Sequence, residues 1–226
     1  MDAAELASKI DQTLLKPTVG FSGAADWIER NRTLGFATLC VSPFLVPLTA
    51  QRLAGTSTAV CTVCGFPLGY VNTETKAEEA ALLVALGASE VDMVVNIAAL
   101  LEGEDDFVTD DVMAVVQAVE RASGGSAIVK VILETGYLDD EQIARGAHLS
   151  AAAGAHFVKT STGFGPRGAS VRDVEIMREA VGPDVGVKAA GAIRDLETAL
   201  EMIRSGATRI GTSSGAEIVD ALAQRG

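Results

Sequence analysis

Three charged residues stand where a chain normally places apolar ones: Asp92 in "EVDMVV" (90–95), Lys159 in "HFVKTST" (156–162) and Lys188 in "DVGVKAAG" (184–191). Lysine is almost never fully buried unless it is paired. A lysine amine attacks a carbonyl only when neutral. At an ordinary pKa of ~10.4, under ~0.1% of it is neutral at pH 7. Burial and a neighbouring cation both favour the neutral form. Two lysines and a carboxylate are therefore the equipment for Schiff-base chemistry. One amine is the nucleophile, the second tunes it, and the acid moves protons on and off the intermediates.

A repeated element must position these groups. "ALGASEVDMVV" (85–95), "AAGAHFVKTST" (152–162), "RSGATRIGTSS" (204–214) and "TLGFATLCVS" (33–42) share one frame. Each has a helix-ending glycine, a tight turn and a strand. Five places after the glycine stand Asp92, Lys159, Gly211 and Cys40. Further strand-like runs are "KIDQTLL" (9–15), "STAVCTVCG" (57–65), "AIVKVILET" (127–135) and 184–191, and helical runs include 73–87 and 138–154. Eight strands alternating with helices predict a parallel sheet closed into a (β/α)8 TIM barrel, one domain over 1–226, with an open doubly wound sheet as the competing fold. The polar stretch 101–111 reads as a loop leading into a helix capped by Thr109 or Asp110.

Side chains alternate along a strand. Val91, Met93 and Val95 share a face opposite Asp92, Val94 and Asn96. Val129, Val131 and Leu133 oppose Lys130, Ile132 and Glu134. The apolar faces are expected to pack on helices. The other faces gather Asp92, Lys130, Glu134 and Lys188 inside, with Lys159, Asp11 and Cys40. A structural ion-pair network is the alternative for any one of them. For the whole set, apolar residues would serve structure as well. The loops "STGFGPRG" (161–168), "AAGAIR" (189–194) and "GTSSGAE" (211–217) are placed to hold phosphate on backbone N–H groups.

Composition narrows the field. The formal net charge is −12, and hydrophobic residues make up 48% against 4% aromatics. Such a field repels nucleic acid and anionic membranes, and no Lys/Arg run offsets it. An anionic substrate needs a local positive pocket. The opening "MDAAELASKID" has neither region of a signal peptide, and no apolar run approaches the ~20 residues of a membrane span. The sequence alone reads as a soluble cytoplasmic protein. "CTVC" (61–64) has C-x-x-C spacing, but residues three apart on a strand face opposite ways. "GFGPRG" (163–168) fits the G-x-G-x-x-G fingerprint of an NAD-binding oxidoreductase, though a lysine interrupts the strand before it. A non-catalytic sugar-phosphate-binding barrel is a third reading.

Together, "FVKTSTGFG", "EVDMVVNI", "VKVILET", "GVKAAGAIR" and "GTSSG" resemble the deoxyribose-phosphate aldolase family, from "IDQTLLKP" (10–17) almost to the end of the chain. The resemblance implies a class I barrel aldolase that needs no metal or cofactor. It implies reversible cleavage of 2-deoxy-D-ribose 5-phosphate to acetaldehyde and D-glyceraldehyde 3-phosphate. Lys159 would form the Schiff base, Lys188 would tune it and Asp92 would relay protons. Asp11, Cys40, Lys130 and Thr160 would line the substrate pocket. Gly163, Gly191, Ala192, Gly211, Ser213 and Ser214 would hold the phosphate. A homodimer is expected, since family members are often dimers. The chain departs from the family pattern at Gln12, where His is usual, at Ala98, and at Ala192 in place of a second glycine. It also lacks the terminal Tyr of some members.

Overall fold

The computed structural model describes residues 1–225. Eight parallel strands close into a barrel in chain order. They are β1 (Ile10–Leu14), β2 (Thr38–Val41), β3 (Ala59–Cys64), β4 (Glu90–Val94), β5 (Ile128–Ile132), β6 (Phe157–Lys159), β7 (Gly186–Ala190) and β8 (Arg209–Thr212). β1 pairs with β8 through Ile10–Ile210, so the sheet has no edge. The open-sheet alternative does not hold. All eight strands fall within the runs read from the sequence.

Helices follow the strands in turn. Thr73–Ala85 and Asp140–Ala152 match the predicted helical runs, and the second opens on a capping box built by Asp139 and Gln142. The polar stretch at 101–111 behaves differently. A short helix, Ile97–Glu102, ends at Gly103, and a long one, Asp105–Ser123, begins at once. Thr109 is inside that helix, not its cap: its hydroxyl donates back to the Asp105 carbonyl at 2.8 Å. Acidic residues at 104–106 suit the positive end of a helix, so the start lies earlier.

The core has two compartments. Val91, Met93, Val129, Val131, Val158, Val187 and Ala189 face outward and pack under the helices. Inside the barrel, Cys40, Cys61 and Val63 form a small apolar group beneath Leu15 and Phe66. The rest of the lumen is charged. Cys61 and Cys64 do face opposite ways: Cys64 joins the outer core and its thiol meets the Lys76 carbonyl at 3.1 Å.

The outer shell holds a buried pair that sequence patterning did not single out. Lys76, on Thr73–Ala85, is fully buried. Its amine meets Asp111 of the long helix at 2.6 Å and the Gly69 carbonyl at 3.0 Å. Thr73 donates to the other Asp111 oxygen. Lys76→Met leaves that carboxylate buried without its cation. A loss of about 3–5 kcal/mol of stability is expected from urea unfolding.

Candidate active site

The lumen collects ionisable groups because the pleat turns every second residue inward. Asp92 on β4 is the hub and is fully buried. Its Oδ2 accepts from Lys159 of β6 at 2.8 Å and from Lys188 of β7 at 2.7 Å. Its Oδ1 accepts from Lys130 of β5 at 2.7 Å and from the Cys61 thiol at 3.3 Å. Lys159 and Lys188 are register partners on neighbouring strands, which brings their amines to one oxygen. Gly211 leaves room for this. A Cβ there would lie 2.9 Å from Ala190 Cβ and 3.0 Å from Lys188 Cε.

Below the hub is a second tier. Lys188 also pairs with Asp11 of β1 at 2.5 Å. Lys130 pairs with Glu90 at 2.6 Å and lies 3.6 Å from Asp11. Arg209 of β8 bridges Asp11 at 2.6 Å and Glu90 at 3.0 Å. Its guanidinium lies 5.2 Å from the centroid of the Phe157 ring at the floor. That ring occupies the space a side chain at Gly186 would fill.

These contacts fix the charges. Burial would raise the Asp92 carboxyl, but Lys130, Lys159 and Lys188 outweigh it and hold it well below the carboxylate range. Burial likewise opposes ionisation of Asp11, and Lys188, Lys130 and Arg209 overcome it. Burial would discharge Lys188, but Asp11 and Asp92 raise it above an ordinary lysine, so it stays a cation. Lys130 behaves in the same way: Asp92 leads the groups that offset its burial.

A pocket of about 690 Å³ opens above this network, at the C-terminal ends of the strands. Lys159 reaches it, and among the described residues Lys130, Lys188 and Arg209 do not line it. Gly163, Gly191, Ala192, Gly211 and Ser213 line it as expected. Ser214 does not; it precedes the helix Gly215–Ala223, and its N–H donates to Thr212 at 2.9 Å. Asp11, Cys40 and Lys130 lie buried beneath the pocket and do not line its open volume. Thr160 faces sideways instead, its hydroxyl bridging the Ala190 carbonyl and N–H at 2.9 and 3.0 Å. Glu134 lies past the end of β5, where strand alternation stops, with φ at +56°. Its carboxylate takes the Thr162 N–H and hydroxyl, not a lysine.

Other residues were not anticipated. Lys16, Arg30 and Arg194 line the pocket, against one acid, Glu217. They supply the local positive surface an anion needs on this acidic chain. Lys16 and Arg194 follow β1 and β7, where barrel enzymes place functional groups. Glu90 and Arg209 were also missed. Gln12, in place of the usual His, makes a structural bridge. It donates to Asn31 at 3.0 Å and accepts from the Gly215 N–H at 2.9 Å.

Ala192 has φ at +62°, in the region that favours glycine. Ala192→Gly is expected to raise stability by about 1 kcal/mol, read as an increased urea midpoint. It also removes a methyl from the pocket wall, so KM for a phosphorylated substrate should fall.

Two triads, Cys40–Cys61–Asp92 and Asp11–Cys61–Glu90, have donor atoms close enough for a metal ion. Their carboxylates are already held by lysine and arginine cations, which compete with a metal. The "GFGPRG" loop follows the sixth strand of a closed barrel, not the first strand of an open sheet. Arg167 of that loop pairs with Asp173 and donates to the Thr135 carbonyl at 2.9 Å, tying the loop to its own barrel.

A closed parallel barrel with a lysine–carboxylate hub under a pocket at the strand ends defines a TIM-barrel enzyme. The model of the DeoC/LacD family aldolases matches residues 32–221. The chain belongs to this aldolase family. It is 52% identical over 214 residues to deoxyribose-phosphate aldolase 2 of Bacillus licheniformis, covering 95% of this chain and 94% of that protein. Among solved structures, a putative deoxyribose-phosphate aldolase from Coccidioides immitis superposes with a TM-score of 0.92 at 40% identity, covering 98% and 87% of the two chains. The deoxyribose phosphate aldolase of Aeropyrum pernix, described as a tetramer, gives 0.88 at 31% identity, covering 97% and 92%.

Proposed function

We propose that this protein cleaves 2-deoxy-D-ribose 5-phosphate reversibly to acetaldehyde and D-glyceraldehyde 3-phosphate, through an imine on Lys159. One observation carries the reading. Among the described residues Lys159 is the one basic group of the lumen network that reaches the pocket, and it shares Asp92 Oδ2 with Lys188, whose charge Asp11 and Asp92 support. The relative named above that is 52% identical supports the substrate.

The neutral Lys159 amine attacks the C1 aldehyde carbon of the open-chain sugar. The carbinolamine loses water to give a protonated imine. The C3 hydroxyl then gives up its proton, the C2–C3 bond breaks, and its electron pair moves into the imine as an enamine. Glyceraldehyde 3-phosphate leaves. Protonation at C2 and hydrolysis release acetaldehyde and restore the amine. Asp92 relays protons at the nitrogen directly and at C3 through water. Lys188 keeps a positive charge beside Lys159, which favours the neutral amine and later the enamine. Gly163, Gly191, Ala192 and Ser213 face the phosphate with N–H groups, helped by Lys16, Arg30 and Arg194.

The described helices include none long and apolar enough to cross a membrane. The three free, buried thiols suit a reducing compartment, and we place the reaction in the cytoplasm. A homodimer is the assembly we expect, to be checked by sedimentation.

The test is borohydride reduction in the presence of deoxyribose 5-phosphate, followed by peptide mass spectrometry. A label on Lys159 is expected. A label on Lys188 would exchange the two lysines' roles. No label on folded protein would sink the imine mechanism.

A further inference from the structure

We infer that Arg209 and Glu90, at the floor of the barrel and out of reach of substrate, set the protonation state of Lys159 by fixing the charge balance of the lumen. They are positioning residues for its amine. The inference rests on Lys159 as the imine-forming residue.

The lumen network holds four basic groups, Lys130, Lys159, Lys188 and Arg209. It holds three carboxylates, Asp11, Glu90 and Asp92. With every group ionised, one positive charge is left over. A buried surplus charge is costly, and the cheapest relief is loss of one proton. Arginine does not give one up. Lys130 lies within 4 Å of all three carboxylates, and Lys188 and Arg209 each touch two. Lys159 touches Asp92 alone. Lys159 is therefore the base whose proton is held least tightly. Arg209 is the cation that creates the surplus. Take it away, and three bases face three carboxylates with Lys159 charged.

The other titratable groups around Lys159 come from each strand in turn, and Lys16, Arg30, Arg194 and Glu217 line the pocket above it and are the same in every variant. Asp11 comes from β1, Cys40 from β2, Cys61 from β3, Glu90 and Asp92 from β4, Lys130 from β5, Lys188 from β7 and Arg209 from β8. Glu134, on the loop after β5, is bound to Thr162. Burial keeps Cys61 a thiol. A hydrogen bond from the Cys61 thiol draws the Cys40 thiol down from its ordinary value, so a Cys40→Ser background serves as a control.

The experiment compares pH profiles of kcat/KM for deoxyribose 5-phosphate cleavage, in wild type and in Cys40→Ser. The acid limb reports the essential base of the free enzyme. Ionisation of the substrate phosphate is common to every variant and cancels in the comparison. Arg209→Met, by removing the surplus, should move the limb to higher pH by on the order of one unit. Glu90→Gln, by adding to it, should move the limb to lower pH by a similar amount. The double variant keeps the wild-type surplus of one, four bases less Arg209 against three acids less Glu90, so its limb should return toward the wild-type position. Arg209→Lys keeps the charge and should leave the limb in place.

Loss of packing alone would lower activity without opposite shifts. Shifts of the same sign, or no shift in folded protein, overturn the inference. If Arg209→Met does not fold, the sign of the Glu90→Gln shift decides. Borohydride labelling runs alongside. A wild type that labels at Lys159 while its variants' limbs stay fixed defeats only the charge-balance inference. A wild type with no label at Lys159 defeats the imine reading itself.

Discussion

Lys159→Met is expected to lower kcat for deoxyribose 5-phosphate cleavage by on the order of 10⁴-fold or more, as measured by coupled detection of glyceraldehyde 3-phosphate. In the proposed mechanism this residue is the covalent nucleophile, so its loss removes the pathway and not merely a contact. Methionine has nearly the same length and fills the same space, and the barrel should remain folded. Lys188→Met provides the contrast. There the pocket amine survives, but the positive charge held beside it at Asp92 is gone and three bases now face three carboxylates. Activity should fall at pH 7 and recover partly as pH rises. The Lys159 variant should not recover at any pH. Equal behaviour of the two would mean that Lys188 is more than a neighbouring charge.

Asp92→Asn is the second large effect, on activity and on stability. The amide accepts weakly where three lysine nitrogens now meet a full charge. Breaking a buried ion pair on one side costs about 3–5 kcal/mol. Proton relay at the imine nitrogen is lost as well, which lowers kcat by about 10²–10⁴-fold. The change should also alter acid unfolding. The Asp92 carboxyl is raised by burial and lowered further by its three lysines, ending well below its unfolded value of about 3.9. A carboxyl depressed on folding contributes stability that is complete above the unfolded value and is lost as pH falls through the folded one. Wild-type stability should therefore decline from about pH 4 downward. The decline should be shallower in Asp92→Asn, by urea unfolding at a series of pH values. An unchanged slope would mean that Asp92 is not ionised in the native barrel.

Much of this was legible in the chain. Strand alternation alone put Asp92, Lys130 and Lys188 on the inner face, because a closed barrel keeps a strict inside and outside. The same alternation carried Glu90, two residues before Asp92, and Arg209, two before Gly211. They were overlooked because each stands at the first position of its strand, where a charge looks like part of a loop. Glu134 shows the opposite error. It lies beyond the last residue of its strand, Ile132, and alternation no longer governs where it points, whereas Thr160, which follows the inward Lys159, turns away from the lumen as alternation requires. The pocket cations Lys16, Arg30 and Arg194 come from loops and one helix end, whose convergence depends on closure and has no periodic signal. Ala192 was visible as a departure, but its positive φ was not.

The ion network also ties the appearance of activity to the last event in building the barrel. Arg209 and Asp11 are 198 residues apart in the chain and meet only when β8 seals against β1. The sealed ring brings together charged groups from six strands, three carboxylates from β1 and β4 and four basic groups from β5 to β8. During refolding, helices and local βα units form early because their contacts are close in sequence. On the charge-balance reading, the lysine of β6 meets its full set of charged neighbours only after the longest loop in the molecule has closed. Catalytic competence is thus a property of the closed ring and not of the segment that carries the lysine.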